Sequence, residues 1–201
     1  SVSVSYTIEK VRLLVTANST VIDYGTAPMN DGVSFQGFVN GEDIDDLDGT
    51  PTYAHTYRQF GDVGEYTITP GGLTSDNYDI SFLPGTLEVR PRTVTLTWHN
   101  TEGRIYADDE GAITATVSNA VNGDRIGVTV TGGELTAGTH TAAATGLTGD
   151  KAKNYQLSTV DADRTVQYTV AQAAQTLTFA QQGSLTRTYG DDAFSNAASN
   201  N

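Results

Sequence analysis

Cysteine is absent from this chain of 201 residues, which has one tryptophan, one methionine, three histidines and five prolines. Without cysteine there are no disulfides and no thiolate metal sites, so core packing and hydrogen bonding must hold the fold. Cationic side chains are scarce as well: 11 Lys and Arg face 24 Asp and Glu, for a formal charge of −13. Nucleic acid is excluded as an expected partner, because its binding rests on cations that neutralise phosphates. Anionic membrane surfaces are disfavoured for the same reason. No apolar run approaches the roughly 18–20 residues of a membrane span, so no membrane insertion is expected. Nor is there a P-loop, G-x-G-x-x-G, G-x-S-x-G or H-E-x-x-H, and the chain is not expected to be an enzyme. Ser1 falls inside a strand-like pattern, which points to a longer parent chain.

What the chain does have is internal repetition. Tyr24-Gly25 returns loosely as Tyr106-Ala107-Asp108, 82 residues on, and as Tyr189-Gly190-Asp191, 83 residues further. Val39-Asn40-Gly41-Glu42 answers Val121-Asn122-Gly123-Asp124. Val63-Gly64-Glu65-Tyr66-Thr67 answers Ala137-Gly138-Thr139-His140-Thr141. Gly72-Leu73 answers Gly146-Leu147, and Asn77-Tyr78 answers Asn154-Tyr155. Such ordered self-similarity marks a repeat architecture. The expected organisation is a closing strand of a preceding module at 1–10 (Tyr6-Thr7-Ile8), module 1 at 11–92, module 2 at 93–173, and the truncated start of a third at 174–201.

Alternating runs rich in Thr, Val, Ile and Tyr, broken by Gly, Asn and Asp, predict strands. In the first unit they fall at 11–17, 52–58, 64–69, 78–82 and 86–89. In the second they fall at 93–98, 112–118, 126–131, 138–145 and 166–170, and 176–179 opens the third. One short helix is expected at about 41–47, with Ile44 and Leu47 three apart and Asn40 as its cap. The fold class is therefore mostly β, in small tandem modules.

The order Tyr-Gly, Val-Asn-Gly-Glu/Asp, Val-Gly-x-Tyr, Gly-Leu, Asn-Tyr and Gly-Thr-Leu-x-Val resembles the mirror β-grasp (MBG) modules of bacterial cell-surface and adhesin proteins. The second unit resembles the YDG variety, with Tyr106-Ala107-Asp108 in place of Tyr-Asp-Gly. The resemblance implies small β-grasp-like sheets with at most one short helix, in the stalk or adhesive region of an extracellular protein, at the cell surface or wall. It implies no catalytic residues.

Three stretches invite chemistry. GEDIDDLDGTP (41–51) brings Glu42, Asp43, Asp45, Asp46 and Asp48 close together, a candidate calcium cluster. Its oxygens do not fall at the alternate positions of an EF-hand loop. The second unit has only Asp124 at the equivalent place, so a solvated helix and loop is the favoured reading. Tyr53, His55 and Tyr57 alternate along a predicted strand and would share one face. Exposed, that face could stack on a glycan or meet a host protein; inward, it would serve the core. Trp98-His99 is a weaker aromatic pair, and His140 takes the slot of Tyr66 as a packing residue. Finally, Lys10, Lys151 and Lys153 are the lysines an internal Lys–Asn isopeptide crosslink could use, although Lys151 and Lys153 sit in a polar turn.

Charge divides as 12 acids against 4 bases over 11–92 and 9 against 5 over 93–173. Like-charged neighbours keep a string of modules soluble, extended and monomeric. Arg90-Pro91-Arg92 between the units contains no glycine and reads as a stiff joint. The expected role is a stalk or spacer whose partners are the neighbouring modules of its own chain; adhesion through Tyr53, His55 and Tyr57 is the alternative. No cofactor is expected, calcium being the one ion in question.

Overall fold

The computed structural model of the chain describes residues 3–107, 111–179 and 198–200. Its first segment runs through β1 (Val11–Ala17), β2 (Thr20–Asp23), β3 (Val33–Gln36), β4 (Asp48–His55), β5 (Gly64–Thr74), β6 (Tyr78–Leu83) and β7 (Gly85–Arg90). These make two sheets, β3-β1-β6 and β2-β7-β5-β4. β1 lies parallel to β6 and β2 parallel to β7, so 11–23 and 78–90 run side by side and pass together from one sheet to the other. Ser19 marks that passage, its hydroxyl accepting from the Thr86 amide at 3.0 Å.

The second segment comprises β8 (Arg92–Thr93), β9 (Leu96–His99), β10 (Thr114–Val117), β11 (Gly127–Thr131), β12 (Gly138–Thr148), β13 (Tyr155–Gln156) and β14 (Thr165–Val170). Its pairings follow those of the first. Arg92 pairs with Tyr155 in parallel as Val11 does with Tyr78, and Leu96 opposes Val117 as Val15 opposes Phe35. His140 opposes Tyr168 as Tyr66 opposes Leu87, and Ile105 bridges Ala171 as Asp23 bridges Arg90. β15 (Leu177–Phe179) pairs antiparallel with β16 (Ala198–Asn200).

Burial follows the pleat. In β1, Leu13, Val15 and Ala17 point inward while alternate residues face out. In β5 the phase changes: Ile68 and Pro70 are buried, then Leu73. The change coincides with a register shift between Gly49 and Thr52 of the partner β4, a bulge that re-aims everything beyond it. As a result one strand feeds two cores. Ile68 belongs to a central cluster with Ile22, Tyr24, Tyr57, Leu87, Val89, Val94 and Tyr155, whereas Leu73 packs with Leu13, Val15 and Tyr78. β12 does the same, with Leu147 against the central cluster and Ala142 in a third with Ile113, Tyr168 and Val170.

Sequence and structure part at several places. Tyr6-Thr7-Ile8 lies outside any strand, and Tyr6 and Ile8 are each 83% exposed. The helix expected at 41–47 is a single 3-10 turn, Ile44–Asp46, capped by Asp43 rather than Asn40. Asn40 stands at positive φ in the preceding turn. β2, β3 and β13 were absent from the expected strands because each is two to four residues long. A four-residue α-helix, Asp161–Arg164, precedes β14.

Gly72 sits in the bulge at φ +84°, and a Cβ there would lie 2.4 Å from the carbonyl oxygen of Thr50. Gly72→Ala is expected to cost about 2 kcal/mol or more, through strained backbone and a clash that must displace β4. Urea unfolding checks it; an unchanged midpoint would mean that the bulge is not required for joining the two cores.

Candidate functional site

The chemistry of the described residues concentrates where the two segments meet. Tyr24, at the end of β2, is wholly buried, its amide donating to the Arg90 carbonyl at 2.8 Å. Its ring meets Tyr155 edge-on at a centroid distance of 5.4 Å. Both phenols donate to the same oxygen, Asp124 Oδ2, at 2.9 Å each. The Val121 amide in turn donates to the Tyr155 hydroxyl at 3.0 Å. Arg92 completes the contact by donating through Nε to the Tyr24 carbonyl at 2.9 Å. Gly25 follows at φ +90°, and a Cβ on it would fall 2.7 Å from Val121 Cγ2, so the close approach of the segments requires glycine here.

Electrostatics follow from that geometry. Burial, reinforced by the Asp124 hydrogen bond and its negative charge, holds the Tyr24 proton far above the ordinary phenol value. Tyr155 is pushed up as well, chiefly by burial. An anionic acceptor shared by two neutral donors is a strong arrangement, since charge-assisted bonds run about twice the neutral strength.

A second contact flanks the first. Asn154 is fully buried; its Nδ2 donates to Asp62 Oδ1 at 2.9 Å and its Oδ1 accepts from the Val63 amide at 3.0 Å. Lys151 and Lys153 reach the same carboxylate at 2.9 and 2.6 Å. Asn154 and the two lysines hold the Asp62 carboxyl well below the usual carboxylate range. Lysines, an asparagine and a carboxylate are thus together, the residue types of an isopeptide crosslink. The amines are partly exposed and salt-bridged, and the Lys151 ammonium is stabilised by Asp62, which opposes the neutral amine a nucleophile needs. Lys10 lies elsewhere, donating to the Ser75 carbonyl.

The residues singled out in the sequence have other surroundings. Tyr53, His55 and Tyr57 share a face, but that face turns inward. Tyr57 is 1% exposed, donates to the Thr26 carbonyl at 3.2 Å and meets Tyr66 at 4.9 Å. Tyr53 packs against the central core, and His55 Nδ1 is buried without a partner among the described residues. An exposed aromatic stripe is therefore not what these residues form. In the acidic stretch, Asp43 accepts from the Asp45 amide and Asp46 from the Asp43 amide, while Glu42 accepts from the Tyr78 hydroxyl. Among the described residues no three His, Asp or Glu side chains converge as a metal-binding set. His140 lies against Tyr168 and His99 bonds Thr116.

Sequence reasoning missed Asp62, Asn154 and Asp124 as a contact set, although Asn-Tyr and Val-Asn-Gly-Asp were visible as anchors. It also missed Arg104, buried at the position corresponding to Ile22, whose Nη1 donates to the carbonyls of Asn100 and Gly111.

Residues 13–88 match the family model described as MBG domain (YGX type), the Tyr-Gly of that segment being Tyr24-Gly25. No protein among the curated ones matches the chain. MBG modules are cell-surface modules, and among the described residues no helix is long and apolar enough to cross a membrane.

Two measurements probe the junction. Tyr24→Phe removes one of the two phenol donors and is expected to cost about 1–2 kcal/mol in urea unfolding. A raised phenol value means that the contribution is whole below about pH 10 and is lost as pH rises above it. Alkaline destabilisation should accordingly be shallower in Tyr24→Phe than in the parent chain. Asp62 has the opposite sign: its depressed value gives stability that is whole above about pH 4 and lost as pH falls below it. Asp62→Asn should flatten that acid limb while lowering stability at pH 7; identical acid limbs would remove Asp62 from the junction's energetics.

Proposed function

We propose that this chain, whose residues 13–88 form a mirror β-grasp module of the MBG type, is part of the repeat stalk of a bacterial cell-surface protein. In this reading 11–92 and 93–173 are successive modules, and their task is to hold a binding or anchoring domain away from the cell. The observation that carries the reading is the joint. Val94, Leu96, Val117, Tyr155 and Leu157 of the second segment pack into one core with Ile22, Tyr24, Ile68, Leu87 and Val89 of the first. A shared core, locked by Tyr24 and Asp124, resists bending in a way that a Gly/Ser tether does not. Stiffness is what a spacer needs, and the charge of −13 favours extension over collapse.

The adhesive alternative draws no support from the Tyr53, His55 and Tyr57 face, because a ring that is 1% exposed cannot stack on a sugar. The module is read as non-catalytic, extracellular and without a cofactor.

The test is a binding panel. The purified chain is passed over immobilised mucins, glycans and matrix proteins, with calcium and with chelator. A spacer gives no saturable binding in either condition. Saturable binding by the folded chain would overturn the reading, and its loss in chelator would assign it to a cation at Glu42–Asp48.

A further inference from the structure

The phenol lock at the junction has a counterpart at each outer end of the pair of segments. At the near end, Glu42 Oε2 accepts from the Tyr78 hydroxyl at 2.5 Å, and the Val39 amide donates to that hydroxyl at 3.2 Å. These match Asp124, Tyr155 and Val121 in role and order. The turns between them match too: Asn40 and Gly41 have φ of 56° and 81°, Asn122 and Gly123 of 55° and 73°. The Glu42 amide donates to Val39 O at 3.0 Å, as that of Asp124 does to Val121 O. At the junction this cup holds Tyr24. At the near end it borders an open cavity of about 420 Å³, lined by Val39, Asn40, Glu42, Asp76, Asn77 and Tyr78 together with 8–11.

The opposite end presents the matching piece. Tyr106 follows the Ile105–Ala171 bridge, and its amide donates to the Ala171 carbonyl at 2.8 Å, as that of Tyr24 does to Arg90. Ala107 takes φ 70° where Gly25 takes 90°. Yet Tyr106 is 51% exposed, whereas Tyr24 is wholly buried. Among the described residues, one end thus carries a formed cup with an adjoining cavity, and the other a plug that meets no cup.

We propose that the Glu42–Tyr78 cup is a tyrosine socket that receives the Tyr106 turn of a second copy of this chain, head to tail, as Asp124 and Tyr155 receive Tyr24. Plug and socket lie on different surfaces, so the contact is heterologous and adds copies in series without closing a pair. The flanking ion pairs are not reproduced: Thr136 stands where Asp62 does and Asp76 where Lys153 does. The phenol contact must therefore carry the interface, and like-charged copies oppose it. The association is weak between free chains and gains from the millimolar effective concentration of linked neighbours. The inference rests on the stalk reading and gives it a mechanism of propagation.

The test is sedimentation equilibrium of the full chain from micromolar to about millimolar concentration, in roughly 0.5 M salt to screen the like charges. Open-ended, concentration-dependent association is expected. Tyr106→Ala, at a half-exposed position that folding does not need, should weaken it about 30-fold or more, as truncating a buried interface tyrosine does. Glu42→Gln, which keeps the size of the side chain, should weaken it as well. The decisive arm mixes Tyr106→Ala with Glu42→Gln: one variant keeps a sound socket and the other a sound plug, so the mixture should associate but stop at a heterodimer. A parent chain that stays monomeric at millimolar concentration, or association indifferent to both variants, overturns the socket. Neither result touches the stalk reading, which the binding panel tests separately.

Discussion

Tyr24, Tyr155 and Asp124 meet where a half-buried carboxylate of the second segment accepts from a phenol of each segment. Much else follows from making that point dry. The close approach requires Gly25 beside Val121, and Arg92 must turn back to the Tyr24 carbonyl. The apolar faces of β2, β5 and β7 are brought against Val94, β9 and β13, where they form the central core. A carboxylate accepting from two phenols is satisfied without a cation, so the junction tolerates low water content at modest desolvation cost. The outer ion pairs of Asp62 with Lys151 and Lys153 are partly exposed, and their role is orientation more than strength.

The long strands β5 and β12 carry this arrangement beyond the junction. Each bends at a bulge and exchanges the face it buries, so each belongs to two cores at once. Three cores in series follow from two segments. The packing interfaces straddle the boundary between the two segments, so the central core draws on both. Each segment is thus stabilised in part by the one beside it, through a core that neither closes alone.

Much of this was visible in the residues. Period-two alternation located the longer strands of both segments, because a strand with one buried face must alternate. The correspondence of Tyr66 with His140 was legible from the glycine two residues before each and the threonine after each. The short strands β2, β3 and β13 were not, since two to four residues carry no measurable period. GEDIDDLDGTP gave the place of a turn but not its form: Asp43 outcompetes Asn40 as cap because its carboxylate reaches the Asp45 amide while Asp46 returns the bond. The alternation of Tyr53, His55 and Tyr57 was right about a shared face and silent about its direction.

The sequence by itself determined the longer strands, their order and most places where the chain turns, because those depend on local periodicity and on glycine. It also determined the excess of acid that keeps copies apart. Tertiary structure alone decided which way the aromatic face of β4 points and which residues face across the junction. It was tertiary structure, too, that brought Asp124 between two tyrosines 100 and 31 residues away. Contacts at such separation leave no trace in local pattern: they exist only once two sheets have packed and excluded the water between them.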